Sequence, residues 1–273
     1  MRRVLQVHKF SATGNTFVLL DLRKPKNKRV SASALPALAR RLSAEFNSDG
    51  LLAISGSVRL IFFNPDGSRA FCGNGTRTAG FYETRHVLKK IKGAVDVMTD
   101  DGSILVSVDR DRAALAKASL PRLLAPNSLE LDFGATQGAR GAGRLEFYKV
   151  DAGCPHAVAF VGSAAAQDVA GLGARVRYHD FFKPRGTNVD FVEITGPDSL
   201  KIRTYERGVE RETKSCGSGV MASVFAAQSL GKIRAGAVRV ETQGGPMTVR
   251  FNGKSLALEG KVEEIFEGVA YLC

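Results

Sequence analysis

The 273-residue chain has no tryptophan, only four cysteines, and no apolar run that approaches the length of a membrane span. The last absence excludes a helical membrane protein. Four cysteines in a chain of this size, with no export pattern, exclude a disulfide framework, so reduced thiols in a cytoplasmic setting are expected. The start Met1-Arg2-Arg3-Val4 has the charge of a secretory leader, but Gln6, His8 and Lys9 interrupt any apolar stretch behind it. No signal peptide is therefore expected. The chain also lacks any Cys-x-x-Cys or His-x-x-x-His pair, which speaks against a zinc site. Neither a metal nor a cofactor is expected.

Positive charge is in excess: 39 Lys and Arg stand against 27 Asp and Glu, a formal net charge of +12. Such a surface attracts phosphate backbones. Here the basic residues are scattered among acidic ones, and the densest tract (Arg23, Lys24, Lys26, Lys28, Arg29) sits in a loop around Pro25 and Asn27. No nucleic-acid motif accompanies it. The charge reads as a solvated surface that helps to steer a small anion, with no nucleic-acid and no membrane partner.

Length and a 44% hydrophobic content allow two domains of ordinary size, and a duplication marks them. Cys72-Gly73-Asn74-Gly75-Thr76 and Cys216-Gly217-Ser218-Gly219-Val220 are one device used twice, a cysteine before a glycine-rich helix start. In the second helix Val220 with Val224 and Met221 with Phe225 fall at i, i+4, and Gly231 supplies a C-cap. Upstream, Phe63-Asn64-Pro65-Asp66-Gly67 and Tyr205-Glu206-Arg207-Gly208 each run a strand end into a polar turn, and Gly14-Asn15-Thr16-Phe17-Val18 is echoed by Gly186-Thr187-Asn188-Val189. Strand patterns occupy 59–63, 103–108, 146–150, 158–161, 189–193, 200–205, 238–241 and 247–251. Helical ones occupy 35–42 and the segments behind each cysteine, with turns at 64–67, 100–102, 244–246 and 252–253. The class is α+β, and 121–126 is the expected crossing between domains.

A helix start offers unpaired backbone N–H groups and a positive dipole end, and glycines let an anion approach closely. The same field favours thiolate in a cysteine placed there. If one such cysteine lies on each face of an sp³ carbon bearing a carboxylate, one sulfur removes a proton while the other returns one to the opposite face. Both sets of amides then face the growing enediolate charge. The outcome is inversion at an α-carbon.

In these stretches the chain resembles diaminopimelate epimerase, of the cofactor-independent two-cysteine epimerases and racemases. The resemblance rests on Gly14-Asn15-Thr16-Phe17-Val18, Asn64 to Gly75, Pro155-His156, Gly186-Thr187-Asn188, and Tyr205 to Gly208 followed by Glu212-Thr213 and Ser215 to Gly219. It implies two pseudo-symmetric domains, each a barrel-like sheet around a central helix, with the active site in the cleft between them. The domains would be 1–124, completed by a returning strand at 263–273, and 125–262. It also implies Cys72 and Cys216 as the acid/base pair and the amides of Gly73, Asn74, Gly217 and Ser218 as the carboxylate cradle. Asn15, Asn64, Asn188, Glu206 and Arg207 would bind the amino groups and the distal end of the substrate, with His156 and Cys154 assisting.

Two departures stand out. Cys154 occupies the asparagine position of Gly-Asn-Pro-His, and a thiol is a weaker donor and acceptor than an amide. The Gly-x-Gly-Ala-Asp run is half kept in Phe46-Asn47-Ser48-Asp49-Gly50. The expected partner is an amino-acid substrate, LL-diaminopimelate going to meso-diaminopimelate. The alternatives are a racemase of another amino acid such as histidine, and a non-catalytic redox or ligand-binding protein with two reactive thiols. A homodimer is compatible with the sequence.

Overall fold

Short runs of β-branched and aromatic residues between glycine turns make this a strand-rich chain. The computed structural model describes residues 3–118, 120–133, 143–251 and 255–272. The chain divides into two compact units, Met1–Lys117 with Glu259–Cys273, and Ala118–Leu258. The first holds strands β1 (Arg3–Ala12), β2 (Asn15–Asp21), β3 (Leu51–Ser55), β4 (Arg59–Phe63), β5 (Lys92–Thr99), β6 (Gly102–Asp109) and β7 (Arg112–Ala118), with helices α1 (Leu35–Phe46) and α2 (Gly73–Tyr82). The second holds β8 (Arg122–Asp132), β9 (Arg144–Asp151), β10 (Pro155–Phe160), β11 (Asn188–Gly196), β12 (Ser199–Glu206), β13 (Arg211–Thr213), β14 (Ala237–Thr242) and β15 (Gly245–Phe251), with helices α3 (Val169–Arg177) and α4 (Gly217–Ser229). A last strand, β16 (Leu256–Leu272), lies mostly in the first unit.

In the first unit β1 pairs with both β2 and β16, so the order β1-β2-β3-β4-β5-β6-β7-β16 closes into an eight-stranded barrel. Helix α2 packs against β1, β3, β4, β5 and β6, and it is buried from Asn74 to Tyr82. Leu35, Leu38, Ala39 and Leu42 of α1 cover the other side of the same strands, on Val7, Val18, Leu20, Leu51 and Ala53. Buried on both faces, β2 and β3 read as unbroken apolar runs (Phe17 to Leu20, Leu51 to Ile54) without alternation. That removes the period-2 signal, which explains why they escape a search for strands. The barrel wall also lies close to α2, for a Cβ on Gly80 would sit 2.5 Å from Cβ and Cγ1 of Val106. Gly80→Ala is expected to cost about 1–3 kcal/mol of stability by overpacking, read as a lower urea midpoint; an unchanged midpoint would show that the wall yields at no cost.

The second unit repeats the plan. Its sheet runs β15-β14-β12-β11-β10-β9-β8 with β13 on β12, and α4 packs against β9, β10, β11, β12 and β15. Val169, Leu172 and Val176 of α3 join Phe147, Ala157, Ala159, Val189, Phe191 and Tyr205 in a second core. In both units an antiparallel pair leads through a helix to a parallel partner (β2 to β3, β10 to β11), then to an antiparallel strand, the cysteine loop and the inner helix.

This topology corrects the sequence reading at several points. The counterpart of Gly14-Asn15-Thr16-Phe17 is Gly153-Cys154-Pro155-His156, because both precede or open the strand before the outer helix. The run Gly186-Thr187-Asn188 instead opens β11 and matches the entry to β3. Helix α1 continues past 42 to Phe46, and α3 is an addition, its two glycines weakening any helical pattern. The expected crossing at 121–126 lies largely within β8, where the register with β9 shifts between Leu123 and Ser128, an irregularity that accommodates a proline lacking an N–H. The units part at Lys117/Ala118 and Leu258/Glu259, against the expected 124/125 and 262/263. The turn at 252–253 lies outside the described residues. No described helix is long and apolar enough to cross a membrane.

Candidate active site

Each inner helix begins at its cysteine. Cys72 is the N-cap of α2 in extended backbone, and its sulfur accepts the Gly75 N–H at 3.3 Å. Gly75 sits close to the strand behind it: a Cβ would lie 2.7 Å from Leu52 Cδ2, so that side chain would have to shift. The amides of Gly73 and Asn74 occupy the first turn beside the sulfur. Asn74 is buried; its Nδ2 donates to Asn15 Oδ1 at 3.5 Å, and its Oδ1 accepts from Arg77 Nη2 at 2.7 Å. Arg77 is wholly buried and also donates to Thr13 Oγ1 at 3.2 Å. Burial pushes its guanidinium down to about 10 against the pull of the Cys72 sulfur, so at neutral pH a buried cation reinforces the positive end of α2. Asn64 opens the turn after β4, donating from Nδ2 to Ser68 Oγ at 3.0 Å while its carbonyl accepts the Gly67 N–H at 2.9 Å.

Cys216 is the N-cap of α4, buried, with its sulfur 3.4 Å from Ser218 Oγ. Burial, then the charges of Glu206, Asp190 and Cys154, push its thiol well above the usual range, and only the Ser218 bond pulls it down. The expectation that the helix field favours thiolate at such a position does not hold for Cys216, where burial and neighbouring charge outweigh the field. At neutral pH Cys216 is a protonated acid.

Around it the second unit gathers His156, Cys154, Asn188, Ser218 and Arg207. His156 is fully buried; its Nδ1 meets Asp190 Oδ2 at 2.7 Å and its Nε2 meets Ser218 Oγ at 2.9 Å. Burial alone would lower the ring, but the Asp190 carboxylate and Cys154 outweigh it and hold it at about 10. Gly219 permits this closeness, as a Cβ there would lie 2.5 Å from Asp190 Oδ1. Asn188 accepts the Arg207 N–H at 2.8 Å and donates to the Pro155 carbonyl at 2.9 Å, so it ties the end of β12 to the start of β10. Arg207 Nη1 reaches the Arg185 carbonyl at 3.4 Å. Glu206 acts on Cys216 through its charge.

Asp190, Arg77 and Thr13 were not anticipated. Asp190 had a legible signal, because its i, i+2 spacing from Asn188 on a strand puts both on one face. Arg77 had only its position among small residues of a helix that turned out to be interior.

Comparison with known proteins follows the same lines. The family model described as diaminopimelate epimerase matches residues 148–264. The diaminopimelate epimerase of Chlorobaculum tepidum is 31% identical, over 96% of this chain and all of its own length, and that of Methanothrix thermoacetophila is 33% identical, over 97% and 95%. Among solved structures, a phenazine biosynthesis PhzF family protein of Enterococcus faecalis superposes with a TM-score of 0.69 at 15% identity, covering 98% of this chain and 100% of its own. A hydroxyproline epimerase from Agrobacterium vitis gives 0.63 at 14% identity, covering 98% and 91%. These structural likenesses establish the fold.

Proposed function

The chain belongs to the diaminopimelate epimerase family, and from that premise we propose that it inverts one α-carbon of LL-diaminopimelate to give the meso form without a cofactor. The observation that carries this reading is the pair of cysteine-capped inner helices, one in each unit, each with glycine amides in its first turn. In the proposed complex the α-carboxylate is held by the amides of Gly73, Asn74, Gly217 and Ser218, and the two sulfurs face opposite sides of the α-carbon. One thiolate removes the α-proton as the opposite thiol delivers its own. Carbanion charge passes into the carboxylate, where helix amides and the buried Arg77 stabilise it. Protonated Cys216 supplies the delivering partner in one direction. An ammonium against Glu206 would offset the charge that holds the Cys216 proton, and the Arg207 fork suits a carboxylate. Asn15, Asn64 and Asn188 complete the recognition.

A second reading, racemisation of another amino acid, is favoured by one feature. Where the family has an asparagine amide, this chain presents a thiol engaged with His156 and Ser218. Incubation in heavy water separates the two. LL-diaminopimelate should acquire one α-deuterium and appear as the meso isomer, while L-histidine and L-lysine should remain unlabelled. Exchange confined to one of those would overturn the substrate assignment, and exchange with none would overturn the reaction.

A further inference from the structure

Cys154 is the described cysteine that the proposed inversion leaves unused. It is half-buried at the turn before β10, and its Sγ lies 3.3 Å from His156 Nε2. The ring is fixed from behind by Asp190 Oδ2 at 2.7 Å, and Asp190 in turn accepts the Thr204 hydroxyl at 2.8 Å. Sulfur, imidazole and carboxylate thus stand in the order of an activated nucleophile, its base and the group that orients the base. We propose that Cys154 is a modification site, a nucleophilic thiol that hydroperoxides oxidise in preference to Cys216.

Four elements face this sulfur. His156 comes from β10, Asn188 from the start of β11, Arg207 from just past β12, and Ser218 from the start of α4. Ser218 Oγ lies 3.4 Å from the Cys154 sulfur and also 3.4 Å from that of Cys216, so the two sulfurs are no farther apart than twice that distance. The ring cannot swing away, since α4 closes over it; a Cβ on Gly219 would already lie 3.3 Å from His156 Cε1. Burial pushes the Cys154 thiol up, yet the His156 charge and the bonds from His156 and Ser218 outweigh it and bring it below the ordinary range. Cys216, a few ångströms away, moves upward. Two neighbouring thiols with opposite shifts differ in thiolate content, and thiolate content sets reactivity.

The step is a two-electron oxidation. The Cys154 thiolate attacks the terminal oxygen of the hydroperoxide; an S–O bond forms, the O–O bond breaks, and the departing alkoxide or hydroxide takes a proton from His156. The product is the sulfenic acid plus an alcohol or water. The Cys216 sulfur can then attack that sulfenic sulfur, forming an S–S bond and breaking the S–O bond. Hydroxide leaves with the Cys216 proton as water, and a thiol reductant reverses the result. The oxidation chemistry does not depend on the epimerase reading; only its consequence does, because Cys216 would be consumed.

The test uses the reduced wild-type protein at neutral pH with limiting hydrogen peroxide and dimedone, followed by proteolysis and mass spectrometry. Cys154 is expected as the dimedone adduct or bridged to Cys216, with no dimedone on Cys216. A Cys216 adduct beside intact Cys154 overturns the proposal. In His156→Gln, oxidation of Cys154 should slow about tenfold or more, one pKa unit's worth of thiolate. An unchanged rate in a folded variant would remove His156 from the account, and the wild-type order of labelling decides the matter if that variant does not fold.

Discussion

Replacing either Cys72 or Cys216 with serine is expected to lower kcat for epimerisation by about 10²–10⁴, the usual contribution of a positioned acid or base. Serine keeps the N-cap geometry at both helix starts, so the fold should survive. What it loses is titration, because a hydroxyl neither gives up nor holds its proton near neutral pH as a thiol does. The loss should fall on kcat in both variants, with KM little changed, since the carboxylate cradle is built from backbone amides that the substitution does not touch. Kinetics by chiral chromatography, with thermal unfolding as a control, will check this. A variant retaining more than a tenth of wild-type kcat would show that its cysteine is a helix cap and not a base.

Asp190→Asn is expected to destabilise the second unit by about 3–5 kcal/mol, the cost of breaking a buried ion pair from one side. Asp190 and His156 are both 0% exposed, so nothing but Asp190 and its neighbours can solvate the ring. The pH dependence follows from the raised His156 value of about 10. Between the ordinary histidine value near 6.5 and about 10, the folded state holds a proton that the unfolded state has released. The pair therefore contributes in full below about pH 6.5, and its contribution is lost as pH rises through 10. Wild-type urea midpoints should fall between pH 6 and pH 9.5 by more than those of Asp190→Asn. Parallel declines in the two proteins would show that the ring is neutral in the folded state.

How much of this was visible beforehand depends on what each residue signals locally. The cysteine loops were legible because their chemistry is carried by neighbours in sequence: Cys72 and Cys216 cap the helices they precede, and glycines follow within one to three positions. The strands that alternate, such as β12 and β14, were legible for the same reason. Strands β2 and β3 were not, since burial on both faces erases alternation. The ranking of forces at Cys216 was also hidden. A helix N-terminus lowers a thiol by a local effect that the sequence displays, whereas the burial and the charges of Glu206 and Asp190 that raise it depend on β11 and β12 being brought against the start of α4 by folding. Asn188 shows the converse case. Besides the substrate contact proposed for it, it holds Pro155 and Arg207 in place, and a polar residue at a strand start gives no sign of that second task. The departure at Cys154 was legible as a departure, but its partnership with His156 and Asp190 needed the parallel pairing of β10 with β11.

The central claim is that two thiols act on opposite faces of one carbon, and solvent exchange in single-cysteine variants tests it most directly. With Cys72→Ala or Cys216→Ala in heavy water, inversion should cease, while the remaining sulfur still removes the proton it faces and returns deuterium to the same side. Each variant should label one stereoisomer of diaminopimelate at the reacting carbon with retention, and the two variants should label opposite ones. If both labelled the same stereoisomer, or if either still inverted the centre, a two-base mechanism with these cysteines would be contradicted.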